Sequence, residues 1–136
     1  MNINRFIEAQ NRYHNIALNE LKNGRKQSHW MWFIFPQLQG LGSSSMAQYY
    51  AINDINEAKE YWSNEYLRKN YLELCEVLLN LDDNNSKNIF GYIDSIKLQS
   101  SLTLFYQVEK IELIKKLIDK FYNGELDIKT INILNK

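Results

Sequence analysis

The spacing of apolar residues constrains this chain more than any other feature. Nearly every segment places them three and four apart, and Pro36 is the only proline. Such spacing lays a stripe along one face of a helix. Phe6, Ala9, Tyr13, Ala17 and Leu21 form a first stripe, closed by Gly24. Ile55, Ala58 and Trp62 form a short one after Asp54, which has capping-box spacing to Glu57. Leu67, Tyr71, Leu74, Leu78 and Leu81 form the longest, capped by Ser63 or Asn64. Asp94 caps a helix predicted from Ser95 to about Gln107. Ile111, Ile114, Leu117 or Ile118, and Phe121 form another, ended by Gly124. Asp127 caps a last one through Ile128, Ile131 and Leu134. Asp82 to Asn88 reads as a polar loop. No Asn-Gly turn separates two alternating runs. The expected fold is all-α: one domain over 1–136, six to seven helices, no significant sheet.

His29–Phe35 (HWMWFIF) is apolar on all sides, so periodicity does not decide between helix and strand; Pro36 ends it either way.

Composition excludes several function classes. Sixteen Lys and Arg balance sixteen Asp and Glu. A generic nucleic-acid binder needs a basic surface to release counterions, so nucleic acid is not the expected partner. The basic residues from Lys110 to Lys136 are interleaved with Glu and Asp. No run approaches the ~18 apolar residues of a membrane span. Asn2, Asn4, Arg5 and Glu8 break up any leader-like start. With one cysteine, Cys75, no intrachain disulfide forms. A cytoplasmic protein is expected. Two histidines and one distant cysteine build no Cys/His metal site, and no cofactor motif is present. His14 and pairs such as Glu57/Glu60 read as solvated.

Three segments can carry chemistry. In the first, Gly24–Gln37, Arg25 and Lys26 stand beside His29, Trp30 and Trp32. Cations beside indole faces suit an anionic aromatic ligand. The alternative is a core element with His29 as a hydrogen-bonded buried imidazole. In the second, Gly42 precedes Ser43, Ser44 and Ser45, whose amides and hydroxyls can hold phosphate at a helix start. The alternative is a capped turn; the Walker ending is absent. In the third, Asp94, Lys97, Ser100 and Ser101 share helical spacing. A buried lysine can activate a serine hydroxyl. Alternatively Asp94 caps, Lys97 pairs with a carboxylate and the serines allow close packing.

These segments resemble a known family. Arg5-Phe6 through Gln10, Gly24-Arg25-Lys26, the string Ser28 to Gln37 (SHWMWFIFPQ), Gly40-Leu41-Gly42, Ser45-Met46-Ala47 and Tyr50-Ala51-Ile52 carry the likeness. Phe90-Gly91, Asp94, Lys97-Leu98, Ser100-Ser101, Thr103-Leu104-Phe105, Gly124, Asp127 and Thr130 extend it over essentially the whole chain. The chain resembles the bacterial all-helical domain-of-unknown-function family often mislabelled "calpastatin", also called the Rv-type small α-helical superfamily after a mycobacterial member. Ile93 stands where proline is common, and Leu102 where methionine is common. The resemblance implies an all-α intracellular protein. It implies no settled activity and no catalytic residue.

The expectation is a pocket for a small anionic, nucleotide or ADP-ribosyl-type ligand. Arg25, Lys26 or Lys97 would neutralise charge, Ser43–Ser45 would hold phosphate, and Trp30 or Trp32 would stack. Gln37, Gly42, Ser100 and Ser101 complete its wall. For a hydrolase or transferase, His29, Asp94 and Lys97 are the catalytic candidates. The rival expectation is an interaction module that exposes Tyr49, Tyr50, Tyr61 and Tyr122 as a protein-binding or homodimer surface.

Overall fold

The structure is a computed structural model and describes residues 2–136. The described residues contain nine helices and no strand: α1 (Asn4–Lys22), α2 (Met31–Ile34), α3 (Ser45–Tyr50), α4 (Ile55–Ser63), α5 (Glu65–Asn80), α6 (Ser86–Phe90), α7 (Tyr92–Val108), α8 (Glu112–Tyr122) and α9 (Ile128–Leu134). The all-α expectation holds, and the count exceeds the six to seven that spacing predicts. Helices as short as α2, α3 and α6 are too brief to show a period. α6 lies across the end of the expected polar loop, with Asn85 Oδ1 accepting from the Lys87 amide at 3.0 Å.

Local chemistry sets the boundaries. α1 ends in a paired C-terminal motif: the Gly24 amide donates to the Leu21 carbonyl and the Arg25 amide to that of Glu20. Gly24 supplies the positive φ of 78° that this geometry needs. α2 stops because Phe35, preceding Pro36, is pushed out of the helical region to ψ 71°. Asp54, Asn64 and Asp127 cap α4, α5 and α9 as predicted. Asp94 does not cap. Gly91, at φ 81°, separates α6 from α7, and α7 begins at Tyr92 with Asp94 inside its first turn.

α7 is the hub, packing against α4, α6, α8 and α9. From Ser100 to Phe105 it is buried on all sides, and along it Ser95, Ser100, Ser101 and Thr103 give neighbouring backbones room to approach. Their hydroxyls are satisfied, as burial requires; Ser101 Oγ pairs with the Tyr71 hydroxyl at 2.9 Å. Around Phe105 sit Tyr61, Trp62 and Tyr71, with ring centroids 5.0–5.2 Å away. Tyr61 therefore belongs to the core and not to an exposed tyrosine surface.

Two polar residues expected in solvent are buried. Glu57 is 0% exposed and takes the Arg5 guanidinium on both carboxylate oxygens, at 3.0 and 3.2 Å. His14 Nε2 meets Glu73 Oε1 at 2.6 Å. Their partners lie more than fifty residues away in sequence, beyond what helical spacing reveals. No described helix is long and apolar enough to cross a membrane.

Candidate functional site

The connector after α1 is organised by one carboxylate. Glu20 accepts from the amides of Gln27 and Ser28, the Ser28 hydroxyl and the Trp30 indole, at 2.5–3.0 Å. Burial alone would raise its pKa. The four donors outweigh that and hold it at about 2. The connector is thus fixed with Lys26 turned inward; its ammonium donates to the Ser28 carbonyl at 2.6 Å and lies 4.9 Å from the Trp30 ring centroid. Lys26 Nζ also meets Asp94 Oδ2 at 2.9 Å.

Asp94 therefore lies between two lysines. Lys97 Nζ approaches its other oxygen only to 3.9 Å. At that length the contact is a loose ion pair and not a hydrogen bond. Lys26 neutralises Asp94, which leaves Lys97 as net positive charge, 5.6 Å from the Trp32 ring centroid.

Lys97 and Gln37 stand where two depressions meet. One is a narrow slot of about 10 Å³, lined also by Trp32, Ala47 and Tyr50. That is room for about one water. The other is a cleft of about 190 Å³ between the Leu41–Gly42 loop and α7, with Ile93, Ile96, Ser100, Asp127 and Lys129 on its walls. Gln37 is aimed by its backbone: its carbonyl accepts from the Ile52 amide at 2.9 Å, next to an isolated parallel bridge between Leu38 and Ile52. Its side-chain amide makes no hydrogen bond among the described residues.

The sequence-predicted residues divide. Trp32, Gln37, Gly42, Lys97 and Ser100 line this junction, with Asp94 and Lys26 immediately behind Lys97. Trp30 is 0% exposed with its indole on Glu20, so no ligand reaches its face. Ser101 is fully buried on Tyr71. Ser100 Oγ donates to Asp127 Oδ2 at 2.9 Å and to the Ile96 carbonyl. Neither serine pairs with Lys97, and the proposed serine–lysine dyad is not formed. Arg25 is exposed and makes no ion pair among the described residues. Ser43, Ser44 and Ser45 are exposed: Ser44 Oγ caps α3 and the Ser43 carbonyl accepts from the Gln48 side-chain Nε2. They form the capped turn that was the alternative. His29 is exposed, which excludes the buried-imidazole alternative, and it lines a different cleft.

Asp127 is the residue that spacing missed. It read as a helix cap, and its Oδ2 does accept from the Thr130 amide and hydroxyl. The same carboxylate faces the cleft beside Ser100, and its Oδ1 makes no hydrogen bond among the described residues. No group of three or more His, Cys, Asp or Glu among them is arranged to hold a metal ion.

The fold and this junction define a small all-helical protein with an apolar-walled cleft that holds two lysines, Lys97 loosely paired and Lys129 in no ion pair among the described residues. Residues 1–134 match the family described as "Protein of unknown function (DUF1810)", and the chain belongs to it, which bears out the resemblance seen in the sequence. Among solved structures, the conserved hypothetical protein Rv1873 from Mycobacterium tuberculosis is 36% identical. Its TM-score is 0.95, with 98% of this chain and 96% of that one covered. No curated protein matches.

Proposed function

We propose that the Gln37–Lys97 junction binds a small anion, or the anionic head of a larger nucleotide or ADP-ribosyl-type ligand. One observation carries the reading. Lys97 and the Gln37 amide converge at an open cleft while Lys26 takes the neighbouring carboxylate. Small-molecule sites usually occupy about 300–1,000 Å³, so a cleft of about 190 Å³ suits a phosphate, a carboxylate or a single ring. Hydrolysis or group transfer on that ligand falls to Asp127 as the acid–base group, because Asp94 already faces two ammonium groups.

Thermal-shift titration with phosphate, pyrophosphate, ribose 5-phosphate and ADP-ribose tests it. At least one raises Tm in the wild type, and Lys97→Gln removes the rise while keeping the unliganded Tm. No rise with any of them, or an equal rise in Lys97→Gln, overturns the reading.

A second reading, a non-catalytic interaction module, is favoured by the exposed Tyr92, Ile93 and Ile96 at the start of α7, 65%, 67% and 45% accessible. Self-association in sedimentation velocity, lost in Ile93→Lys, supports it.

A further inference from the structure

A second cleft, of about 380 Å³, opens between the first half of α1 and the outer side of α3. It is twice the size of the cleft beside Lys97 and within the usual range for small-molecule sites. α1 contributes Arg5, Glu8 and Arg12, which share one face by their i, i+3 and i+7 spacing. The floor is a run of touching rings. Tyr13 packs on Phe33 at 5.3 Å, Phe33 on Tyr50 at 5.1 Å, and Tyr50 edge-on to Tyr49 at 4.8 Å between centroids. His29 stands at the wall.

The charges here are not alike. Arg5 is held by Glu57 and by the carbonyls of Asn2, Tyr49 and Ala51, and so serves the fold. Arg12 makes no ion pair among the described residues, not even with Glu8 one turn earlier. The hydroxyls of Tyr13, Tyr49 and Tyr50 make no hydrogen bond among them either. Burial raises the Tyr50 pKa, so its hydroxyl stays protonated as a donor. The cleft thus offers a bidentate anion donor, a free carboxylate and an exposed ring: Tyr49 is 61% accessible.

We infer that this cleft is a separate binding site for a nucleoside monophosphate, with the phosphate on Arg12 and His29, the ribose hydroxyls on Glu8 and the base stacked on Tyr49. Each part follows from chemistry. A planar guanidinium matches phosphate geometry. A carboxylate accepts from vicinal hydroxyls, and a flat tyrosine face takes a base of any identity. A ligand with only one of these features leaves the other groups unused.

Titration calorimetry of the full-length Lys97→Gln chain, in which the anion site at the Gln37–Lys97 junction is removed, with AMP, adenosine, ribose 5-phosphate and inorganic phosphate tests this. AMP is expected to bind with 1:1 saturation at this cleft and at least about tenfold more tightly than the three fragments. In that background Arg12→Gln and Tyr49→Ala, both at exposed positions, each weaken AMP by about tenfold or more. Circular dichroism melting verifies that each variant is folded. No saturable AMP binding in the Lys97→Gln chain, AMP no tighter than phosphate alone, or AMP binding unchanged by Arg12→Gln overturns the inference.

Discussion

At the residue scale, buried charges do structural work that their spacing hides. Arg5 and Glu57 are 10% and 0% exposed at the side chain. Removing one partner strands a charge in a poorly solvated place, which costs about 3–5 kcal/mol. Arg5→Ala should approach that figure in urea denaturation, because it also releases the Tyr49 and Ala51 carbonyls. The Arg5→Ala/Glu57→Gln double variant should lose less than the sum of the singles. Glu20 gives a pH signature. Its folded pKa of about 2 lies below its ordinary 4.5, so the folded state favours the ionised form. The resulting stability is fully present above about pH 4.5 and is lost as pH falls towards about 2. Glu20→Gln should therefore melt below the wild type at pH 6, and the gap should narrow as acid titrates Glu20. A gap that stays constant from pH 6 to 2.5 removes the four-donor carboxylate as its source.

At the element scale, what was legible in the sequence is what is local. α1, α4, α5, α8 and α9 each carry a stripe or a cap within a few residues, and the structure places them there. α2 was undecidable because its neighbours cover all its sides. α7 carries little stripe for the same reason, and its start was misplaced because Gly91, not Asp94, sets it. The candidate site was half legible. Its segments could be picked out by unusual chemistry, but which side of α2 each residue takes depends on tertiary packing. Hence Trp32 reaches the slot, Trp30 enters the core and His29 joins the other cleft. Asp127 escaped because a cap is already a sufficient reason for an Asp. Gly42 shows an element-level constraint. Its φ is not positive, so freedom of rotation does not explain it. A Cβ there would lie 2.7 Å from the Ala47 Cβ on α3. Gly42→Ala must push α3 outward, at about 1–3 kcal/mol. The same variant should weaken anion binding at Lys97, because Ala47 walls the slot and Gly42 the cleft. Full stability and unchanged binding in Gly42→Ala would show that the loop adjusts freely.

At the scale of the whole molecule, neutrality conceals local imbalance. Equal numbers of cations and anions leave no overall positive charge, yet Lys97 holds only a loose 3.9 Å ion pair with Asp94 and Arg12 makes no ion pair among the described residues. α3 lies between the slot beside Lys97 and the larger cleft: Tyr50 lines both, and Ala47 and Met46 face one each. It is also the least buried of the described helices. None of its residues is buried, it packs chiefly on α2, and Arg5 holds its C-terminal end. α5 and α7 are the opposite, with buried residues along their length. Opening free energy follows buried apolar contact, so the segments of one domain need not open together. Native-state hydrogen exchange should show the α3 amides, Gln48 foremost through its bond to the Ser44 carbonyl, exchanging by local opening and insensitive to low urea. Interior amides of α5 and α7 should exchange only through global unfolding. A ligand in the larger cleft should slow α3 without changing that order, since Met46, Tyr49 and Tyr50 line that cleft. If α3 exchanges with the global unit in the free protein, it is a fixed wall and not an adjustable one.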